Sequence, residues 1–304
     1  MKKILLSVAL LFVGLLSGYS QQLPLYSQYL LNDFLLNPAI AGTNNYIPIR
    51  LTGRYQYVGF DGAPKTVALA AHSPIMRGKM GVGGFLFSDK IGAVSQTGLQ
   101  LSYSYHMPLS NDIKLSMGLG FRAFQYVLDE TQLVYIDEDQ TITDTKQAAF
   151  VPDADFGLYV YSGTKWFAGF SAAQLIQYKV KLGDVDIESS SSTIRHYFLT
   201  GGYTFDAGQD FQIQPSLLVK ATAESPVNID VNVKATYQKN YWLGLSFRSD
   251  KSLITMFGVK YQIYFLGFAY DYSFSDIKNY SNGSFEIVLG VNLGEGANRG
   301  SSLL

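Results

Sequence analysis

Few side chains in this sequence are suited to chemistry, and they are scattered. Histidine occurs three times, at His72, His106 and His196, and cysteine not at all. Without cysteine there is no thiolate ligand, disulfide or thiol nucleophile. His72 and His106 close two predicted strands with a third between them, which sets them roughly 10 Å apart. That is too far to share a metal, and no carboxylate joins them at ligand spacing. Polar structural contacts are the expected role of all three. Asp137-Glu138-Asp139 lacks the ordered ligand spacing of a calcium loop, so a solvated loop tip is expected there. No Ser-His-Asp order, phosphate-binding glycine loop or metal-hydrolase spacing is present. Gly81, Gly83 and Gly84 belong to a strand pattern instead. The expectation is a protein without catalytic residues, metal or cofactor.

What remains is a charged set with a shared parity. Arg50, Arg54, Lys114, Arg122, Lys220, Lys234, Arg248 and Lys260 are basic; Asp155, Asp230, Asp271 and Glu286 are acidic. Each sits among polar or small residues that alternate with apolar ones. From Leu99 the apolar positions are Leu99, Leu101, Tyr103, Tyr105 and Met107, against Gln100, Ser102, Ser104 and His106. Ile113–Arg122, Val227–Tyr237 and Phe285–Asn292 repeat the pattern. A strand points successive side chains to opposite faces. Runs of about 9–12 residues with one apolar and one polar face suit a wall between lipid and an aqueous lumen. The charges then face the lumen, where they pair with one another, meet solvent, bond a plug, or receive an anionic ligand or segment.

The elements that would position them number fourteen. Strands are predicted to begin near Ile49, Lys65, Met80, Gln96, Ile113, Asp153, Lys165, Ile194, Phe211, Val227, Tyr241, Leu253, Tyr264 and Ser284. The even-numbered connections, near Arg77, Ser110, Gly163, Gly208, Lys239 and Ile263, are short. The longest, Val127–Pro152 and Leu175–Thr193, are odd-numbered, with Ser189–Ser192 a low-complexity tip. Short turns at one end and long loops at the other are typical of outer-membrane barrels. The predicted fold is all-β: a transmembrane antiparallel up-and-down barrel of about 14 strands, residues 49–293, with a non-barrel N-terminal segment, 21–48, and a C-terminal tail, 294–304.

Bulk composition agrees. Charged residues make up 15% of the 304, against roughly 25% in soluble domains, while Tyr (22), Phe (20) and Gly (29) abound. A net charge of −1 gives no footprint for nucleic acid. Lys2, Lys3, the apolar Ile4–Leu16, and Gly18 and Ser20 at −3 and −1 read as a cleavable signal peptide ending at Ser20. The expected location is the outer membrane, with its lipid as the first partner.

The segment 21–48 does not alternate. Leu23, Leu25, Tyr26, Tyr29, Leu30, Phe34 and Leu36 need somewhere to pack. Pro38 holds Asn37 extended, and Gly42 permits a bend. Gln22–Tyr46 is expected to fold into or under the lumen as a hatch; a periplasmic strap against the rim is the alternative.

Several stretches carry a family resemblance. They are Gln21–Asn45 (with Gln28, Tyr29, Asn37, Pro38, Ala39 and Gly42), then Arg54, Gln56, Gly59 and Asp61-Gly62-Ala63-Pro64. His72-Ser73-Pro74, Gly81–Gly84, Asp89-Lys90-Ile91-Gly92, Tyr103–Pro108, Pro152-Asp153 with Gly157, and Gly169-Phe170-Ser171 follow. This ordered set resembles the PorP/SprF family of type IX secretion system membrane proteins over nearly the whole mature chain. One departure is Tyr57, where the family usually has Trp; the tail Gly294–Leu304 also runs past the last predicted strand, so the terminal aromatic common in outer-membrane proteins is missing. The resemblance implies a non-enzymatic outer-membrane component of type IX secretion or gliding. It would assemble with secretion subunits, or anchor or help export a large secreted adhesin. The rival reading is a transporter for small or hydrophobic solutes with an N-terminal hatch.

Overall fold

The computed structural model describes residues 23–132, 145–163, 165–180 and 191–295. The leader Met1–Ser20, the Asp137–Asp139 cluster, Ser189 and Ser190 of the serine tip, and the tail past Glu295 lie outside the described residues. Fourteen strands build the wall: β1 (Ile47–Tyr55), β2 (Lys65–Ile75), β3 (Met80–Ile91), β4 (Val94–Pro108), β5 (Lys114–Asp129), β6 (Lys146–Ser162), β7 (Trp166–Ala173), β8 (His196–Tyr203), β9 (Phe211–Thr222), β10 (Asn228–Tyr237), β11 (Tyr241–Arg248), β12 (Ser252–Tyr261), β13 (Tyr264–Ser273) and β14 (Ser284–Leu293). Each pairs antiparallel with its sequence neighbours, and β1 pairs with β14 from Ile47 opposite Leu293 to Tyr55 opposite Phe285. The sheet is therefore a closed barrel, which removes the unpaired edges that lipid would not tolerate. Two small additions are Phe205–Ala207, which pairs with the start of β9, and a hairpin of Lys179–Val180 with Ser191–Ser192.

The period of two sets the two faces. In β11, Trp242, Gly244, Ser246 and Arg248 are buried inward while Tyr241, Leu243, Leu245 and Phe247 are exposed outward. Leu245 lies mid-strand in this apolar band. Replacing it with arginine is expected to cost about 2–4 kcal/mol, the usual cost of a cation at the bilayer midplane. Denaturant unfolding in lipid vesicles measures this, and an unchanged midpoint would contradict a lipid-facing Leu245.

The long connections all lie at one end. Residues 76–79, 109–113, 163–165, 204–210, 238–240 and 262–263 make short turns at one end. Left-handed Met76, Arg77, Gln238, Lys239 and Gln262 occur in these turns, as tight hairpins require. At the other end lie the long connections 56–64, 130–145, 174–195 and 274–283, beside shorter ones at 92–93, 223–227 and 249–251. By the usual asymmetry the short turns are periplasmic and the long loops face outward.

One boundary differs from the sequence reading. β6 begins at Lys146 rather than near Asp153, and β5 runs on to Asp129, so the loop expected at Val127–Pro152 shrinks to 130–145. Pro152, the last residue of that expected loop, lies inside β6 opposite Ala123. Pairing of β6 with β7 starts only at Phe156. Pro152 is thus on a one-sided stretch, where a missing N–H can face away from the ladder.

Candidate functional site: a plugged lumen

Residues 23–46 lie inside the barrel. Three single 3-10 turns, Tyr29–Leu31, Asp33–Leu35 and Pro38–Ile40, fold the segment. The third is set locally: Asn37 Oδ1 accepts from Ala39 N at 2.9 Å, and Pro38 takes the first helical position. Tyr29, Phe34, Ala39, Ile40 and Ala41 are all at most 3% exposed. Phe34 packs edge-on against Phe85, while Leu31 joins Trp242, Phe265 and Val288.

Hydrogen bonds tie this plug to the wall along its length, most of them from wall side chains to plug backbone. At the outer end Leu23 N donates to His196 Nε2 at 3.2 Å, and Lys220 Nζ donates to Leu23 O at 2.9 Å. The Glu286 carboxylate accepts from both Ser27 N and Gln28 N at 2.8 Å. Arg50 Nε donates to Leu31 O, and Asn32 Nδ2 donates to Thr52 Oγ1. Ser171, Ser116 and Ser104 each donate at 2.6 Å, to Leu36 O, Ala39 O and Ala41 O. Asn37 Nδ2 donates to the carbonyls of Leu158 and Phe170. At the periplasmic end Gly42 N donates to His72 Nδ1 at 3.0 Å, and His106 Nε2 donates to Ala41 O at 2.9 Å. The chain therefore descends from the long-loop end to the turn end before entering β1. All three histidines grip plug backbone at its two ends.

Glycines admit the close approach. A Cβ on Gly118 would lie 2.3 Å from Ala39 N, and one on Gly157 would lie 1.9 Å from Asn37 Oδ1. Gly42 (φ +71) turns the exiting chain.

The lumen charges mostly pair. Arg54 meets Asp271 at 3.0 Å and Glu286 at 3.3 Å; Arg248 meets Asp230 at 2.8 Å and Asp271 at 3.2 Å; Arg122 meets Asp155 at 2.8 Å. Arg54 also donates to Ser27 Oγ, tying the network to the plug. Lys114 is exposed at the periplasmic rim, and Lys260 pairs with Glu295 there. In the first outer hairpin Gln56 N donates to Pro64 O, and Gly62 (φ +72) accepts from Gly92 N. Burial pushes the Asp33 carboxyl of the plug up to about 6, against the pull of Arg50. The sequence did not single out Ser104, Ser116 and Ser171 as plug holders; inward parity marks all three, and Ser104 and Ser171 also lie in stretches that carry the family resemblance.

The sequence pattern of the family described as type IX secretion system membrane protein PorP/SprF matches residues 18–291. The chain belongs to this family. Among solved structures, this PorP/SprF barrel is similar to the CymD monoaromatic hydrocarbon channel, at 12% identity over 91% of this chain and 94% of that one, TM-score 0.50. It is also similar to the Ralstonia pickettii toluene transporter TbuX, at 9% identity over 86% and 92%, TM-score 0.49. At 12% identity the likeness to CymD shows the barrel fold alone. None of the curated proteins matches. The PorP/SprF chain is thus an outer-membrane barrel and a type IX secretion membrane component.

Proposed function

We propose that this PorP/SprF barrel works as a closed, non-enzymatic partner in type IX secretion or gliding, exported through a leader cut after Ser20. In this reading it assembles with secretion subunits, or anchors or helps export a large surface adhesin, and does not itself conduct solutes. The observation that carries it is the family match over 18–291 on a barrel whose lumen is filled by 23–46. A plug bonded at both ends suits a scaffold better than an open pore. The second reading, a transporter of small or hydrophobic solutes, is favoured by the fact that the plug is a single chain segment that a conformational change could move. A deletion strain separates the two. Its surface proteins are profiled by mass spectrometry, the barrel is used as bait in a pull-down, and solute uptake is followed in parallel. Loss of particular surface proteins and capture of secretion subunits or an adhesin is expected, with uptake unchanged. Failed uptake with the surface proteome intact would sink the first reading.

A further inference from the structure

One inward cation stands apart from the rest. Arg54, Arg122 and Arg248 have carboxylates, Lys220 has the Leu23 carbonyl, and Arg50 bonds the Leu31 and Val291 carbonyls and Asn292 while lying 4.2 Å over the Phe265 ring. Lys234 is only 7% exposed and has no hydrogen bond or ion pair among the described residues. A buried ammonium without a partner is costly. Lys234 lines a cavity of about 70 Å³ beneath the plug, together with Asp33, Arg50, His72, Asn44 and Gln214. At about 10–15 Å³ per water this holds roughly five waters. It lies in the periplasmic half, beside the residues where the plug leaves the lumen.

The charge in this cavity does not balance. Asp33 is its one carboxylate and faces both Arg50 and Lys234, which leaves an excess of one positive charge. His72 adds a donor to the lining: its Nδ1 accepts from Gly42 N, so the ring proton sits on Nε2. Asn44 has a buried amide oxygen without a partner, and a half-turn of that amide supplies a further donor. We propose that this periplasmic vestibule is a binding site for the carboxylate of a small organic acid, with Lys234 as its principal contact. The single excess charge suits a monoanionic carboxylate better than phosphate, which carries about 1.5 charges or more at neutral pH. The site is independent of the secretion reading above.

Titration of Asp33 gives the site a pH signature. Arg50, Lys234, Tyr46 and Tyr159 are the titratable groups that face Asp33, and His72 shares its cavity. As pH falls from 8 towards 6, Asp33 loses negative charge and the cavity becomes more positive. Carboxylate affinity therefore rises. The test titrates the full mature barrel in detergent micelles with sodium acetate calorimetrically, with sodium chloride as the reference arm. Saturable binding of acetate, tighter at pH 6 than at pH 8, is expected. Lys234→Gln should weaken it by about tenfold or more, the loss of one charge-assisted contact. Asp33→Asn should tighten it and shrink the pH difference. Acetate binding no better than chloride, or unaffected by Lys234→Gln, overturns the site. Lys234 would then turn to the unpartnered Gln28 and Asn232 oxygens in the adjoining cavity. If Lys234→Gln does not fold to a heat-modifiable barrel, unchanged affinity in Asp33→Asn overturns it instead.

Discussion

Gly118→Leu should displace the inner half of the plug while leaving the wall intact. An added Cβ meets Ala39 N at 2.3 Å, Ala39 Cα at 2.5 Å and Pro38 C at 2.5 Å, all backbone atoms that no rotamer change can move. On the wall the change is tolerable, since glycine weakens a strand interior and β5 keeps its pairing with β4 and β6. Overpacking of this kind costs typically about 1–3 kcal/mol and more where backbone is struck. A leucine extends further into the space of Pro38–Ile40 and strips Ser116 of its bond to Ala39 O. The clash is therefore relieved by moving the plug. Single-channel recordings in planar bilayers should change from closed to a persistent open level, with heat-modifiable migration unchanged. Recordings as quiet as those of the unaltered protein, from barrels shown to be folded, would mean that the plug is not the closure.

The wall was legible in the sequence because lipid imposes a rule on every strand. One side-chain face must be apolar along the whole crossing, and a period of two is visible without any partner. All fourteen strands begin within a few residues of the predicted starts except β6, where Pro152 hid seven residues of pairing behind a residue that usually ends strands. The plug obeys no such rule. It is held by side chains from strands far along the chain, such as Glu286 on Ser27 and Ser171 on Leu36, and neither leaves a local pattern. The signs of the lumen charges were readable, but their pairings were not. Arg54 on β1 meets Asp271 on β13, two strands away around the closure, and that geometry depends on the barrel's tilt rather than on residue order.

Glu286→Gln should free the outer half of the plug and leave the inner half in place. The carboxylate receives Ser27 N and Gln28 N on separate oxygens, both at 2.8 Å, and also partners Arg54. Glutamine keeps the volume, so no cavity forms. One of its two oxygens becomes an NH2 that faces a donor, which leaves a plug amide buried and unpaired. Arg54 keeps Asp271 at 3.0 Å, so its charge is not orphaned. Losing charge-assisted bonds to buried amides costs about 1.5–3 kcal/mol, and an unsatisfied donor adds to this. About 3 kcal/mol should appear as a roughly hundredfold faster amide exchange across Leu23–Gln28. Asn37–Gly42 keep Ser116, Ser104, His106 and His72 and should exchange as before. Conductance should stay closed in this variant, in contrast to Gly118→Leu. Uniform acceleration along 23–42 would show that the plug undocks as one unit. Unchanged exchange at Ser27 and Gln28 would show that Glu286 does not latch it.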